Sequence, residues 1–334
     1  MKQISIFACG FLLAVCVNCC PPGTTAQNNH KELGRENKDT QKENGVPEQN
    51  ESNGQTEQNI TSQEGGAAIC VPSDELPTTC KINTEGNTIA TRYTNTDPRY
   101  ERRATNDYGT WLLNRKLHPV GHVTHYYNGK IKYVNCQVGV LTYDFIGENL
   151  QQCADACIRL RAEYLWEKKM YDKIHFKNSP GFNFEYRKWA EGYRVHFDKN
   201  WKASWSKDAQ PDYSYSNFKK YLFTVFTYCG TLSLSKEMRP VHISKAQPGD
   251  LVLYGGSPGH AVTIMDILHE KNGKKIKLMF SQSYMPAQEI EILANRYENN
   301  SPWFELEDLD DPDLMIDTPE WTFTGNKVMR WADL

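Results

Sequence analysis

The sequence predicts an α+β domain in which a helix packs on an antiparallel sheet, behind an N-terminal β-rich segment. Two patterns carry this reading. Between Leu251 and Tyr284 three strand-like runs follow one another, separated by Gly255-Gly256-Ser257-Pro258-Gly259 and by Asn272-Gly273, and Asn-Gly is a strong two-residue hairpin signal. Before them, Leu150, Cys153, Ala154, Cys157, Arg161, Tyr164 and Leu165 recur at helical spacing and make one stripe.

The chain starts with Lys2 and an almost unbroken apolar run from Ile4 to Val17. The run is shorter than the roughly 20 residues that span a bilayer, and a short apolar run behind a positive start reads as a signal peptide within residues 1–26. Two endings stay open. One is lipidation at Cys16, Cys19 or Cys20, giving a membrane-anchored lipoprotein; the other is cleavage after Ala26, behind the small residues Thr24 and Thr25. Residues 27–67 are dominated by Asn, Gln, Glu, Lys, Gly, Thr and Ser, with no aromatic residue and Leu33, Val46 and Ile60 as the large aliphatics. Such a stretch cannot bury enough apolar surface to offset its ordering entropy and is expected to be a disordered tether.

Residues 68–334 form the expected globular domain, with a β-rich part over 68–146 and a core over 147–334. In the first part Asn128-Gly129 marks a hairpin turn and Val138 to Leu141 a buried strand. The helix is expected to open with Asn149 as N-cap and Gln152 three places on, a capping-box spacing, and to run to about Met170. On it Arg159 can pair with Asp155 or Glu163. Residues 171–213 read as aromatic and irregular. Ser214 to Tyr228 reads as a second helix with Phe218, Tyr221, Leu222, Val225 and Phe226 inward.

The net charge of -3, with no basic block interleaved with aromatics, excludes a nucleic-acid-binding surface. Export permits disulfides, and Cys70 and Cys80, flanking a short loop, are a candidate pair. No pair of CxxC motifs suggests structural zinc. His118, His122 and His125 could bind a metal, but Pro119 and Gly121 rule out a single helical face and no adjacent carboxylate supports them, so neither a metal nor an organic cofactor is expected. Trp189, Trp201, Trp205, Tyr213 and Tyr215 could form a glycan or peptide platform, although most such rings serve a core.

The chemistry-bearing pattern is a cysteine in the first turn of a helix followed by a histidine opening a strand. A helix N-terminus favours thiolate, and a histidine can complete a Cys–His pair. Here Cys153 is the candidate nucleophile and His260 the base. With a two-residue turn at Asn272-Gly273, His260 faces Met285 and shares a face with Ser283 and Ser281, while Gln282 points to the other face. A one-residue bulge brings Gln282 round, and its amide suits orienting the imidazole, so Gln282 is preferred and Ser283 comes next. The N–H of Cys153 and the side chain of Gln151 or Gln152 are oxyanion candidates. Asp250 is expected to bond its own turn and is kept as a supporting candidate. The competing reading makes Cys153 an inert buried thiol and His260 a strand cap.

The Gly249 to Met265 pattern resembles papain-like envelope amidohydrolases of the NlpC and CHAP types, which implies a papain-like fold with Cys153, His260 and a polar residue on the next strand as its triad. Over a longer span, Leu150 to Ala156, Arg159 to Tyr164, Gly230 to Leu234, Gly255 to Ala261, Gln282 to Gln288 and Thr318 to Phe323 resemble the bacterial family called domain of unknown function 4846, from about Asn83 to Phe323. That resemblance implies export and often a lipid anchor, and no established activity. The expected function is a cell-envelope thiol amidase or peptidase, with peptidoglycan peptides as substrate by fold analogy. The alternative is a non-catalytic envelope lipoprotein holding a peptide or glycan in the same groove, in the periplasm or on the outer membrane.

Overall fold

The computed structural model describes residues 80–298 and 301–334. The signal segment with Cys16, Cys19 and Cys20, the tether, and Cys70 lie outside the described residues. So does any Cys70–Cys80 pairing, although the backbone at Cys80 opens a short strand, Cys80–Ile82.

The centre is a nine-stranded antiparallel sheet. Its strands in chain order are β1 (Tyr100–Arg102), β2 (Gln137–Val140), β3 (Arg239–Pro240), β4 (Leu251–Tyr254), β5 (His260–Glu270), β6 (Ile276–Gln282), β7 (Glu291–Leu293), β8 (Phe304–Leu306) and β9 (Val328–Arg330). They lie side by side in the order β2-β7-β6-β5-β4-β9-β3, with β1 on the far end of β5 and β8 on the far end of β6. The three consecutive strands expected from Leu251 onward are β4, β5 and β6. The Asn128-Gly129 turn is present: Gly129 has φ +79 and its N–H donates to the Tyr126 carbonyl.

Alternation along β5 sorts the core into two layers. Ala261, Met265 and Leu268 face a cluster with Leu112, Ala154, Cys157 and Ile158, contributed by helices α1 (Asp107–Leu113) and α2 (Cys153–Glu167). Val262, Ile264 and Ile267 face the other way, onto Phe280, Phe304, Ile316 and Phe323. The last two belong to a hairpin of Met315–Thr318 with Trp321–Thr324, so one sheet face is covered by helices and the other by the C-terminal ribbon. Each fully buried Leu, Ile or Phe contributes about 1.5–3 kcal/mol.

α1 was not expected from the pattern. It is only two turns long and carries Gly109, a poor helix former. Its signal is Asn106, whose side chain accepts from the Gly109 N–H at 2.6 Å. Gly109 is required there, since a Cβ would lie 2.9 Å from the Pro248 side chain. Residues 171–213 are not irregular: they form two ribbons, His175–Lys177 with Asn183–Glu185 and Tyr193–Phe197 with Ala203–Lys207. Their aromatics are mostly core, with Phe176, Phe184, Tyr186 and Trp189 buried, while Trp201 is exposed. Helix α3 (Tyr215–Tyr228) follows, capped by Ser214, with Phe218, Tyr221, Leu222, Val225 and Phe226 buried as the period predicts. A short helix, α4 (Thr231–Glu237), leads back to β3.

Candidate active site

The start of α2 lies three residues later than the capping-box spacing suggested. Gln152 is the N-cap and its N–H donates to Asp155 Oδ2 at 2.9 Å. Asn149 instead uses its Oδ1 to accept the Ala287 N–H at 2.7 Å. Cys153 is therefore the first helical residue. Arg159 pairs with Glu163 at 2.6 Å, leaving Asp155 to the cap. Arg161 reaches Asp333 at 2.7 Å.

On the sheet, the register of β5 and β6 decides which side chains meet. Thr263 opposes Ser281 and Ile264 opposes Phe280, but Asp266 opposes Met279, so Met265 is an extra residue in β5. That bulge shifts the strand start by one place. Gln282 thereby joins His260 on one face, and the His260 ring meets Gln282 Oε1 through Nε2 at 3.0 Å. Ser283 does not orient the ring: it is fully buried, donates to the Gln151 carbonyl at 2.6 Å and accepts the Gln288 N–H at 3.2 Å.

The amide of Gln282 is locked from its other end. Its Nε2 donates to Glu291 Oε1 at 3.0 Å and to Glu320 Oε2 at 2.7 Å. Lys132 Nζ bonds to the same two carboxylates at 2.7 and 2.5 Å, and the Thr124 hydroxyl donates to Glu291 Oε2 at 2.7 Å. Two carboxylates demand the amide's donors, which turns Oε1 toward His260. The ring must then donate from Nε2, so the neutral imidazole carries its lone pair on Nδ1. Tyr284, Trp321 and Phe323 wall the ring, with centroids 5.0, 5.4 and 5.8 Å away. His260 is 1 % exposed. Burial drives its pKa down to about 4, with the Gln282 bond acting the other way.

Cys153 is half-buried. Burial pushes its thiol up to about 11 and the Asp155 carboxyl adds to this, while the N–H groups of Ala154, Ala261 and Cys153 itself offset part of it. The influence of Ala261 puts the sulfur beside the residue that follows His260. Desolvation outweighs the helix N-terminus here, so the expected thiolate is replaced by a neutral thiol. Among the described residues no hydrogen bond joins Cys153 to His260, whose ring bonds to Gln282.

The supporting candidates take other roles. Gln151 is fully buried and its Oε1 accepts from Arg159 at 2.9 Å, leaving Nε2 without a partner. Gln152 Nε2 donates to the Asn149 carbonyl at 3.1 Å. Asp250 accepts the Gln247 N–H of its own turn at 2.9 Å, as expected, and binds Arg330 at 2.7 Å, so it is a fold contact and not part of the site. Lys132, Glu291, Glu320 and Thr124 escaped the sequence reading. One signal existed: Glu291 interrupts the apolar run Ile290, Ile292, Leu293, and a charge there must be paired if buried.

Two clusters have the residue types of a metal site. Cys136, Glu291 and Glu320 lie within 4.8 Å of one another. Lys132 already supplies a cation to both carboxylates, and burial pushes the Cys136 thiol up to about 12, so this cluster is occupied by an ammonium group. The second is His118, His122 and Glu289, with His125 alongside. The carboxylate missing from the sequence reading is therefore supplied by the approach of β7.

An antiparallel sheet with a half-buried cysteine at the start of the helix on one face, and a buried histidine held by a glutamine against the ribbon on the other, defines a mixed α/β protein whose Cys153 and His260 side chains belong to opposite layers. A family model described as domain of unknown function (4846) matches residues 89–330, and the chain belongs to that family. No curated protein and no solved structure matches it. Among the described residues no helix is long and apolar enough to cross a membrane.

Proposed function

We propose that the chain is a thiol amidase or peptidase of papain-like design, exported to the cell envelope and acting on peptide substrates such as peptidoglycan stem peptides. The observation that carries this reading is the His260–Gln282 bond at 3.0 Å, held by two carboxylates, with the free Nδ1 on the residue next to the one that flanks the sulfur. On this reading Cys153 Sγ attacks the amide carbonyl carbon and its proton passes to His260 Nδ1. The tetrahedral adduct collapses, the C–N bond breaks, and the leaving amine takes that proton. Water then attacks the thioester, giving its proton to Nδ1, and the carboxylic acid leaves as the thiol is restored. The N–H groups of Cys153 and Ala154 at the helix start stabilise the oxyanion. His260 lies on the ribbon-covered face with Trp321 and Phe323, and α2 packs on the opposite face, so this reading requires the ring to swing round the start of β5 in the complex before Nδ1 takes the proton.

A second reading rests on the neutral, unbonded pair in the resting site. It makes the same groove a non-catalytic site for an envelope peptide or glycan. Labelling with an iodoacetamide probe, with and without a muropeptide ligand, separates the two. The hydrolase reading expects alkylation at Cys153 that is absent in Cys153→Ser and slowed in His260→Ala. Equal labelling in all three proteins removes it.

A further inference from the structure

Glu289 sits in a ring of histidines drawn from a different part of the chain. His122 Nε2 is 3.2 and 3.1 Å from its Oε1 and Oε2. His125 Nδ1 is 3.2 Å from Oε2 and His118 Nε2 is 3.8 Å from Oε1. We propose that His118, His122, His125 and Glu289 bind a divalent transition-metal ion of the Zn²⁺ class.

The spacing is what carries this. In a tetrahedral site with bonds of about 2.0–2.1 Å, neighbouring donor atoms are about 3.3–3.4 Å apart. The four carboxylate–imidazole contacts straddle that edge length. Three imidazoles and one carboxylate are also the donor set that borderline cations such as Zn²⁺ prefer over Ca²⁺ or Mg²⁺, which take oxygen. A single carboxylate has no need of three histidines for its own charge balance. It already accepts the His125 backbone N–H at 2.8 Å, a contact that leaves it anchored whichever way the rings turn.

One adjustment is required. His118 and His122 stack face to face, with centroids 3.9 Å apart and planes 10° from parallel. Lone pairs lie in the ring planes, so parallel stacked rings cannot both aim at one point. One ring must turn about its χ2, a broad torsion. Both side chains retain solvent access, at 31 % for His118 and 24 % for His122, so no packed core opposes the turn. His118, His122 and Glu289 already have their ligand atoms within 4.8 Å of one another, whereas His125, 3.2 Å from Glu289 Oε2, lies outside that set and must close in as the fourth ligand. Four protein ligands mark a structural ion and not one that activates water. The ion would tie residues 118–125 to the segment entering β7, two residues before Glu291.

The test uses the full, untagged chain, stripped with a chelator and titrated with Zn²⁺ by calorimetry and with Co²⁺ by visible absorption. The proposal expects one ion at this site, with the intense d–d bands of four-coordinate Co²⁺. His122→Gln keeps an N–H for Glu289 but loses the ligand. It and Glu289→Gln should weaken binding by at least about tenfold to 100-fold, the loss seen even for outer-shell partners. Cys136→Ser should leave binding unchanged. The proposal is overturned if wild type shows no d–d bands of that kind, or if both site variants bind as tightly as wild type. Loss of binding in Cys136→Ser, with retention in His122→Gln, also overturns it. Near-ultraviolet circular dichroism reports whether each variant is folded. Should His122→Gln unfold, His118→Gln, at a more exposed ring, decides by the same criterion.

Discussion

Gln282 has donors at one end and an acceptor at the other, and its neighbours decide which end faces His260. With Glu291 fully buried and Glu320 beside it, reversing the amide would set its oxygen against two carboxylates. The arrangement depends on Lys132, the cation that both carboxylates share at 2.7 and 2.5 Å. Removing one partner of a buried ion pair leaves an uncompensated charge at a cost of about 3–5 kcal/mol. Lys132→Met is expected to lose about that much in urea denaturation, and a loss within experimental error of zero contradicts the network. His260 makes a second test. Folded, it stays neutral down to about pH 4; unfolded, it protonates near the usual 6.5. Between those values the unfolded chain binds the extra proton, so the stability His260 contributes falls as pH drops from about 6.5 to 4, by on the order of 3 kcal/mol, and is level below that. Nitrogen NMR of labelled histidine should find the Nε2–H tautomer at pH 6 and an inflection near 4; an inflection at the ordinary value contradicts the burial.

At the scale of elements, the start of α2 sets the protonation of the thiol. Asp155 caps the helix from a fully buried position, with Oδ1 lacking a partner. Burial raises its carboxyl well above the usual range, offset in part by the Gln152 N–H. A raised folded value means the folded chain keeps its proton longer. Stability from this group is therefore present at low pH and lost as pH rises through the folded value. Asp155→Asn keeps an oxygen for the Gln152 N–H and removes the titration, so the variant should melt higher than wild type at pH 7 and lose that part of the pH dependence. Equal or lower stability at pH 7 runs against this account. β5 carries the other element-level lesson. Asn272-Gly273 and the alternation of β5 and β6 made the hairpin legible, yet the face of Gln282 hinged on a bulge at Met265. Nothing in the local pattern marks that residue, because Met265 and Asp266 both fit the helix-covered layer only once tertiary packing is known.

For the whole molecule, the order of helix, strands and turns was readable because period and turn chemistry are local. The partners of His260 and of the histidine cluster were not. Glu291 reaches Gln282 through the pairing of β7 with β6, Glu320 comes from the turn of the C-terminal hairpin, and Lys132, His118 and Glu289 come from segments outside the strands. No spacing in the chain announces such long-range meetings. The same holds toward the other edge of the sheet, where β9 lies between β4 and β3. Arg330 there binds both oxygens of fully buried Asp250 at 2.7 Å. Arg330→Leu strands that carboxylate, and the fold should lose about 3–5 kcal/mol by thermal or chemical denaturation. A neutral substitution would show that β9 contributes through apolar contacts of Val328 and Trp331 alone.

The catalytic proposal is tested most directly by incubating purified protein with muropeptides and following products and protein-bound acyl groups by mass spectrometry. The account predicts new cleaved peptides and a thioester adduct on Cys153 with wild type, and neither with Cys153→Ser or His260→Ala. Intact substrate after prolonged incubation with wild type, or cleavage that survives Cys153→Ser, contradicts it.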